Sequence, residues 1–316
     1  MLILFSAKIS EKHQTRLKEE FTEQQFIMCS SMDEASAYLK AAEILVTYGE
    51  DLTPELIEHA AQLKWIMVLS AGMDRMPFDA IKAKGILVTN ARGIHKTPMA
   101  EYAISMLLQV YRQANTLMEK EKAHEWDRNV RMEELNGKTV LVAGAGAIGQ
   151  EVARLAKAFQ MKTIGLSRSG EQREYFDENY QSTELESLLP ETDIIVSVLP
   201  STKETKEFYT YEHFKKLPKH AVFLNMGRGD AVKTEVILDA IRNKEIAHAV
   251  LDVFEEEPLP NDHPFWDEEN ITVTPHLSGI SKLYQTRALD IFEENLKIYL
   301  QGKDDYVNKI DVSRGY

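Results

Sequence analysis

The chain has 316 residues, 44% of them hydrophobic and 28% charged, with a formal net charge of -13. That length suggests two domains with a core in each, and the composition excludes a disordered, low-complexity or solenoid-repeat chain. The acidic balance, with no long basic run to offset it, excludes nucleic acid as a general partner, so any bound anion needs local positive charge.

Cys29 is the single cysteine, which rules out a disulfide within the chain and makes a reducing compartment, read as the cytoplasm, the default. Residues 1–6 are apolar but lack a basic leader region, so a signal peptide is not expected. No stretch approaches the length that spans a membrane, so no membrane partner is expected, and no metal site is read.

In chain order, strands are predicted over 2–5, 44–47, 65–69 and 86–88, separated by helix-compatible stretches such as 11–20 and 54–61. This alternation implies a parallel sheet flanked by helices. Pro98 then opens one long predicted helix, 99 to about 123, expected to cross between domains. A second set of strands is predicted over 139–143, 162–166, 193–199, 221–225, 248–253 and 271–274. A last helix over 281–300 and a polar tail would make the first domain discontinuous if they return to it.

The first strand of the second set runs into Gly144-Ala145-Gly146-Ala147-Ile148-Gly149 and an amphipathic helix. Glycine-rich turns occur in unrelated loops and in methyltransferases, but strand before and helix after make this a dinucleotide fingerprint. Gly144 permits the turn, Gly146 lets backbone approach a pyrophosphate at the helix N-terminus, and Gly149 lets the helix pack on the strand. An acid at the end of the next strand would bind the ribose 2'-hydroxyl of NAD, yet that strand ends in Ser167-Arg168-Ser169. A guanidinium and two hydroxyls suit the 2'-phosphate of NADP, where a carboxylate would repel it, so NADP is expected in preference to NAD.

Farther on, Arg228 stands between Gly227 and Gly229 after the fourth strand of this set, where it could clasp a substrate carboxylate and polarise its carbonyl; taken alone, it could equally be a structural ion pair. Asp252 ends the next strand, and a run of glutamates including Glu257 follows it. His276, in Thr274-Pro275-His276, could be a general acid near neutral pH, particularly with a carboxylate on its other ring nitrogen; spacing alone does not make Glu257 that partner.

These residues together resemble the D-isomer-specific 2-hydroxyacid dehydrogenase family. The resemblance covers nearly the whole chain, through Ser70-Ala71-Gly72-Met73-Asp74, Thr97-Pro98-Met99-Ala100-Glu101-Tyr102, Gly144 to Gly149, the segment 225–230, Ala249-Val250-Leu251-Asp252-Val253-Phe254, Glu257-Pro258 and Thr274-Pro275-His276. It implies two doubly wound parallel-sheet α/β domains: a Rossmann cofactor domain over 99–281, inserted into a flavodoxin-like substrate domain over 1–98 and 282–316. It implies Arg228, Glu257 and His276 as the catalytic trio, with Asp252 on the nicotinamide amide. The backbone of Ala71 and Gly72, with Arg228 and His276, would hold the substrate. Cofactor contacts would extend over Ala147, Ile148, Pro200, Met226 and Gly227.

The tail 307–316 resembles the glyoxylate/hydroxypyruvate reductase or NADP-linked 2-ketoacid reductase branch, and NAD-linked members carry Asp where Ser167 stands. Glu257 stands where formate dehydrogenases of this superfamily carry glutamine. The expected reaction is NADPH-dependent reduction of a small 2-keto acid to the D-2-hydroxy acid. The alternatives are an NAD-dependent dehydrogenase of the phosphoglycerate type, a corepressor-like nucleotide sensor and, far behind, a methyltransferase. A homodimer is expected from the resemblance and from an apolar face on the helix from 99 with Trp126 nearby.

Overall fold

A computed structural model describes residues 1–70, 72–73 and 75–313. Its strands are β1 (Leu2–Phe5), β2 (Gln25–Met28), β3 (Ile44–Thr47), β4 (Trp65–Val68), β5 (Leu87–Asn90), β6 (Thr139–Ala143), β7 (Lys162–Ser167), β8 (Glu178–Gln181), β9 (Ile194–Ser197), β10 (Val222–Asn225), β11 (His248–Leu251) and β12 (Ile271–Val273). Its α-helices are α1 (Glu11–Glu20), α2 (Met32–Leu39), α3 (Pro54–His59), α4 (Phe78–Ala83), α5 (Lys96–Tyr111), α6 (Ala114–Lys122), α7 (Ala147–Ala158), α8 (Leu185–Leu188), α9 (Tyr211–Lys216), α10 (Thr234–Arg242) and α11 (Tyr284–Leu300). The chain divides into two compact units, Met1–Ile94 with Ser281–Tyr316, and His95–Ile280.

The first unit is built on a parallel sheet of order β2-β1-β3-β4-β5, the flavodoxin-like doubly wound order. Strands β3 and β4 are buried at every position because helices cover both faces, which is why they read as unbroken apolar runs. Alternate residues feed separate cores. Leu4, Leu45 and Ile66 face Leu39, Ile57 and Ile81 of α2, α3 and α4, whereas Ile3, Phe5, Val46 and Trp65 face Leu17 of α1 and Leu289, Phe292 and Leu296 of α11.

Phe292 lies edge-on to Phe5 at 5.6 Å and stacks on Trp65 at 5.5 Å, so α11 completes this core and the unit is discontinuous. After α11 the chain lies along β5: the Ile310 amide donates to the Val88 carbonyl at 2.9 Å. The Asn308 side-chain amide donates to the carbonyls of Asn90 (3.1 Å) and Arg92 (2.8 Å). That cover satisfies part of an otherwise open sheet edge.

The second unit has a seven-stranded parallel sheet of order β12-β11-β10-β9-β6-β7-β8. Read from β6, this is the Rossmann order with one further strand, and the order reverses between β6 and β9. Helices α5 and α7 pack over Val140, Val142, Val196, Leu224 and Val250, while α9 and α10 cover Leu141, Ile195, Phe223, Ala249 and Leu251 on the other face.

Three sequence expectations change in detail. Two half-buried edge strands add to the predicted set: β8 is polar and shows no apolar run, whereas β2 does carry one, Phe26-Ile27-Met28. The single helix over 99–123 is two helices: Gln113, in the left-handed region at φ 54, ends α5 before α6 begins. Helix α5 starts at Lys96, ahead of Pro98, because a proline in the first turn gives up an amide that has no intrahelical partner anyway. The units accordingly divide at 94/95 and 280/281, against the expected 98/99 and 281/282.

Phe292→Ala should lower the unfolding free energy of the first unit by about 3–5 kcal/mol, since it empties a fully buried site between two aromatic rings. Urea unfolding followed by Trp65 fluorescence would measure this. A loss below about 1 kcal/mol would contradict the packing described.

Candidate active site

All the predicted site residues of the second unit sit at the carboxyl edge of its sheet, at strand ends, in the loops that follow and in the first turn of α7, in spatial order across the parallel strands. Across neighbouring strands these loops are His276 after β12, Asp252 and Glu257 after β11, Arg228 after β10, Pro200 after β9, Gly144 to Gly149 after β6, and Ser167 to Ser169 at the end of β7. The reversal between β6 and β9 thus has the Gly144 to Gly149 and Ser167 to Ser169 segments on one side and Pro200, Arg228, Glu257 and His276 on the other.

The loops are packed backbone to backbone at positions that only glycine can occupy. A Cβ on Gly144, which has φ 106, would fall 2.9 Å from the Val198 carbonyl oxygen, and one on Gly149 would fall 2.2 Å from the Gly144 oxygen. A Cβ on Gly229 would lie 1.9 Å from the Phe254 carbonyl carbon. Gly146 differs: it is exposed and a Cβ there meets nothing within 4 Å, so the space before the α7 N-terminus is open. Ala147, also exposed, and Ile148 begin α7, whose first amides lack intrahelical partners. This cradle fits an anion such as a pyrophosphate.

Beside it, the Ser167 hydroxyl accepts from the Gly170 amide at 3.1 Å and the Ser169 hydroxyl from the Glu171 amide at 3.4 Å. Arg168 is exposed and makes no ion pair among the described residues. Its field reaches the loop after β9. The Glu204 carboxyl is held below its usual value by its own backbone amide and by Thr202, with Arg168 and Lys203 adding to the effect. Pro200 is exposed, whereas the Met226 side chain is core, so at Met226 and at buried Gly227 only backbone is on offer.

The nearest-knit part of the site is the pair spacing could not decide. His276 Nδ1 lies 2.7 Å from Glu257 Oε2, and Glu257 Oε1 accepts the Phe254 amide at 3.0 Å. The carboxylate is therefore fixed at both oxygens, and a ring that donates from Nδ1 has Nε2 left for chemistry. Arg228 is exposed and pairs with no carboxylate among the described residues; its Nη1 donates to the Gly227 carbonyl at 2.8 Å. The structural ion pair weighed from sequence is thus not what holds Arg228. Its loop is pressed against the Glu257 loop through Gly229 and Phe254.

Asp252 is fully buried, and its carboxylate is turned into the loop that carries His276. Oδ1 accepts from the Thr274 hydroxyl at 2.6 Å and the Leu277 amide at 3.0 Å, and Oδ2 accepts from the Ser278 amide at 2.9 Å. Its own carbonyl accepts the His276 amide at 2.9 Å. His276 itself has φ 49, a left-handed conformation a non-glycine residue keeps only when its surroundings dictate it. The resemblance implies a contact of Asp252 with the nicotinamide amide; the observed bonds make it, in addition, the anchor of the histidine loop, a role shared by Thr274 that no spacing signal revealed.

In the first unit, Gly72 is exposed on the loop after β4, where the Ser70 hydroxyl is 3.0 Å from the Gly72 carbonyl and 3.2 Å from that of Tyr48. Ala71 lies outside the described residues, as do Asp74 and 314–316 of the motifs and tail used above.

The D-isomer specific 2-hydroxyacid dehydrogenase, NAD binding domain, matches residues 104–278. The glyoxylate reductase of Aeropyrum pernix is 32% identical over 276 residues, covering 84% of this chain and 82% of that protein. A D-isomer specific 2-hydroxyacid dehydrogenase family protein of Aeromonas salmonicida superposes with a TM-score of 0.87 at 34% identity, over 98% of this chain and 99% of that one. An NADPH-dependent glyoxylate/hydroxypyruvate reductase of Sinorhizobium meliloti, solved with NADP and sulfate, gives a TM-score of 0.77 at 27% identity, over 100% and 99% of the two chains. A Rossmann sheet, a cradle for a nicotinamide dinucleotide and these matches lead to one conclusion: the chain is an oxidoreductase and belongs to the D-isomer specific 2-hydroxyacid dehydrogenase family.

Proposed function

We propose that this protein reduces a small 2-keto acid, of the glyoxylate or hydroxypyruvate class, to the D-2-hydroxy acid with NADPH. The observation that carries the reading is the His276–Glu257 pair at 2.7 Å, with Glu257 itself tied to the Phe254 amide. Ketone reduction creates an alkoxide that needs a proton, and a carboxylate-oriented imidazole is the residue type suited to deliver it. A bound nicotinamide supplies the hydride to C2 of the keto acid. His276 holds a proton at Nε2 and passes it to the carbonyl oxygen as charge develops there. Glu257 keeps the ring in place and balances its charge while it is doubly protonated. Arg228 stabilises the carboxylate and the growing oxyanion. The backbone at Gly72 is assigned to the substrate carboxylate.

The preference for NADPH is supported by Arg168, exposed beside Ser167 and Ser169 and without an ion pair among the described residues, and by the NADP bound to the Sinorhizobium meliloti reductase. Glu204, close enough to Arg168 to feel its charge, is the observation that favours the NADH alternative, because a carboxylate there opposes a 2'-phosphate. Asp252 is retained as a contact for the nicotinamide amide, since three bonds leave part of its acceptor capacity unused. A cytoplasmic site of action accompanies this reading.

The homodimer is part of the same proposal. Ile104, Leu108, Leu155 and Phe159 line a shallow apolar hollow on α5 and α7, and Trp126 beyond α6 is 93% exposed. A second copy would cover that surface.

His276→Ala should reduce turnover of glyoxylate by about 10²–10⁴-fold while NADPH binding is retained. Steady-state kinetics beside a fluorescence titration of NADPH would read both, and near-normal turnover would defeat the acid's assignment. For Arg168→Ala, NADPH affinity should fall by about tenfold or more while NADH affinity changes little, since only the former carries the 2'-phosphate. Equal losses would show that Arg168 does not read that phosphate. Light scattering of the purified chain should give twice the mass of one copy, with Leu108→Asp shifting it toward the monomer; a monomeric wild type at micromolar concentration would refute the dimer.

A further inference from the structure

The loop that carries His276 is held from beneath by Asp252, and it is also braced from α5. The Tyr102 hydroxyl lies 2.7 Å from Thr274 Oγ1. Thr274 has a single hydroxyl proton, which it gives to Asp252 Oδ1 at 2.6 Å, so Tyr102 is the donor to Thr274. Burial, with the Asp252 carboxylate adding to it, pushes the Tyr102 phenol far above its ordinary range, so it stays a donor at any working pH.

At the N-terminus of the same helix, His95 Nδ1 is 3.3 Å from the Gly279 carbonyl. Gly279 makes room for that ring: a Cβ there would stand 2.9 Å from Nδ1. Burial first, then the nearby positive charge of Arg228, holds the His95 imidazole below its usual value, so near neutral pH it is a neutral ring that donates from Nδ1.

We infer that Tyr102 and His95 are positioning residues, which grip Thr274 and Gly279 at the two ends of the loop and so fix His276 against Glu257. The inference rests on the reading of His276 as the acid. His276 has a left-handed backbone and a half-exposed ring, so its place is set by the loop and not by packing around the imidazole. Without the Tyr102 hydroxyl, the Thr274 oxygen loses its donor. The side chain can then rotate away from Asp252, and the strained backbone at residue 276 can relax. A small displacement of an acid is costly because proton delivery depends on near-attack geometry.

Tyr102→Phe in the full-length protein should lower kcat for glyoxylate by about five- to twentyfold while KM and NADPH affinity stay within about twofold. The ring resonances of His276, assigned by their disappearance in His276→Gln, should shift or broaden in Tyr102→Phe. That readout needs no turnover, so an inactive wild type would sink the proposed reaction and still leave the brace testable. Thr274→Ser, which keeps the hydroxyl, should behave as wild type, and Thr274→Val should repeat the loss even if Tyr102→Phe does not fold. His95→Phe should give a smaller loss of the same kind. Unchanged kcat and unchanged His276 resonances in Tyr102→Phe, whatever its thermal stability, would overturn the inference, as would a loss confined to KM.

Discussion

The buried carboxylate of Asp252 is the constraint on which the geometry of the loop carrying His276 turns. A charge with no exposure to water is tolerable only if hydrogen bonds replace hydration, and every partner observed for it comes from the segment 274–278. The electrostatic need of one residue at the end of β11 therefore dictates the path of the chain after β12. That path puts His276 in an unfavourable left-handed conformation and swings its ring toward Glu257. The energy cost of the backbone at residue 276 is of order 1 kcal/mol, smaller than that of leaving the carboxylate with an unmet hydrogen bond, so the loop yields and the carboxylate does not.

The same logic, of backbones forced together at one edge, explains why the glycines matter in series. Gly144 meets Val198, Gly227 meets Leu199, and Gly229 meets Phe254, each at a distance no Cβ could share. Neighbouring loops become one continuous rim across β6, β9, β10 and β11. Gly146 alone among the fingerprint glycines has open space where a side chain would be, and the absent atom there leaves room for ligand. Tight contacts build the rim, and one gap in it stays open.

Parallel strands buried on both faces are the most legible elements in a sequence, since nothing polar interrupts them. β3, β4, β6, β9 and β10 could each be read from their apolar runs. The edge strand β8 could not, because Glu178-Asn179-Tyr180-Gln181 becomes a strand only through pairing with β7. The break at Gln113 was equally hidden, because glutamine is a good helix former and nothing in its residue type announces the left-handed turn it adopts.

By itself, the sequence determined the alternation of strands and helices, the glycine fingerprint after β6, the lack of an acid at Ser167, and the standing of Arg228 and His276 as candidate side chains for anion and acid chemistry. These follow from local periodicity and from which residue types can do acid, base or anion chemistry. Tertiary structure alone decided that α11 returns to the first sheet, that Glu257 is the partner of His276, and that Asp252 serves the loop. Each of those depends on contacts between residues far apart in the chain. A spacing in sequence fixes no distance in space until strand order sets which loops become neighbours.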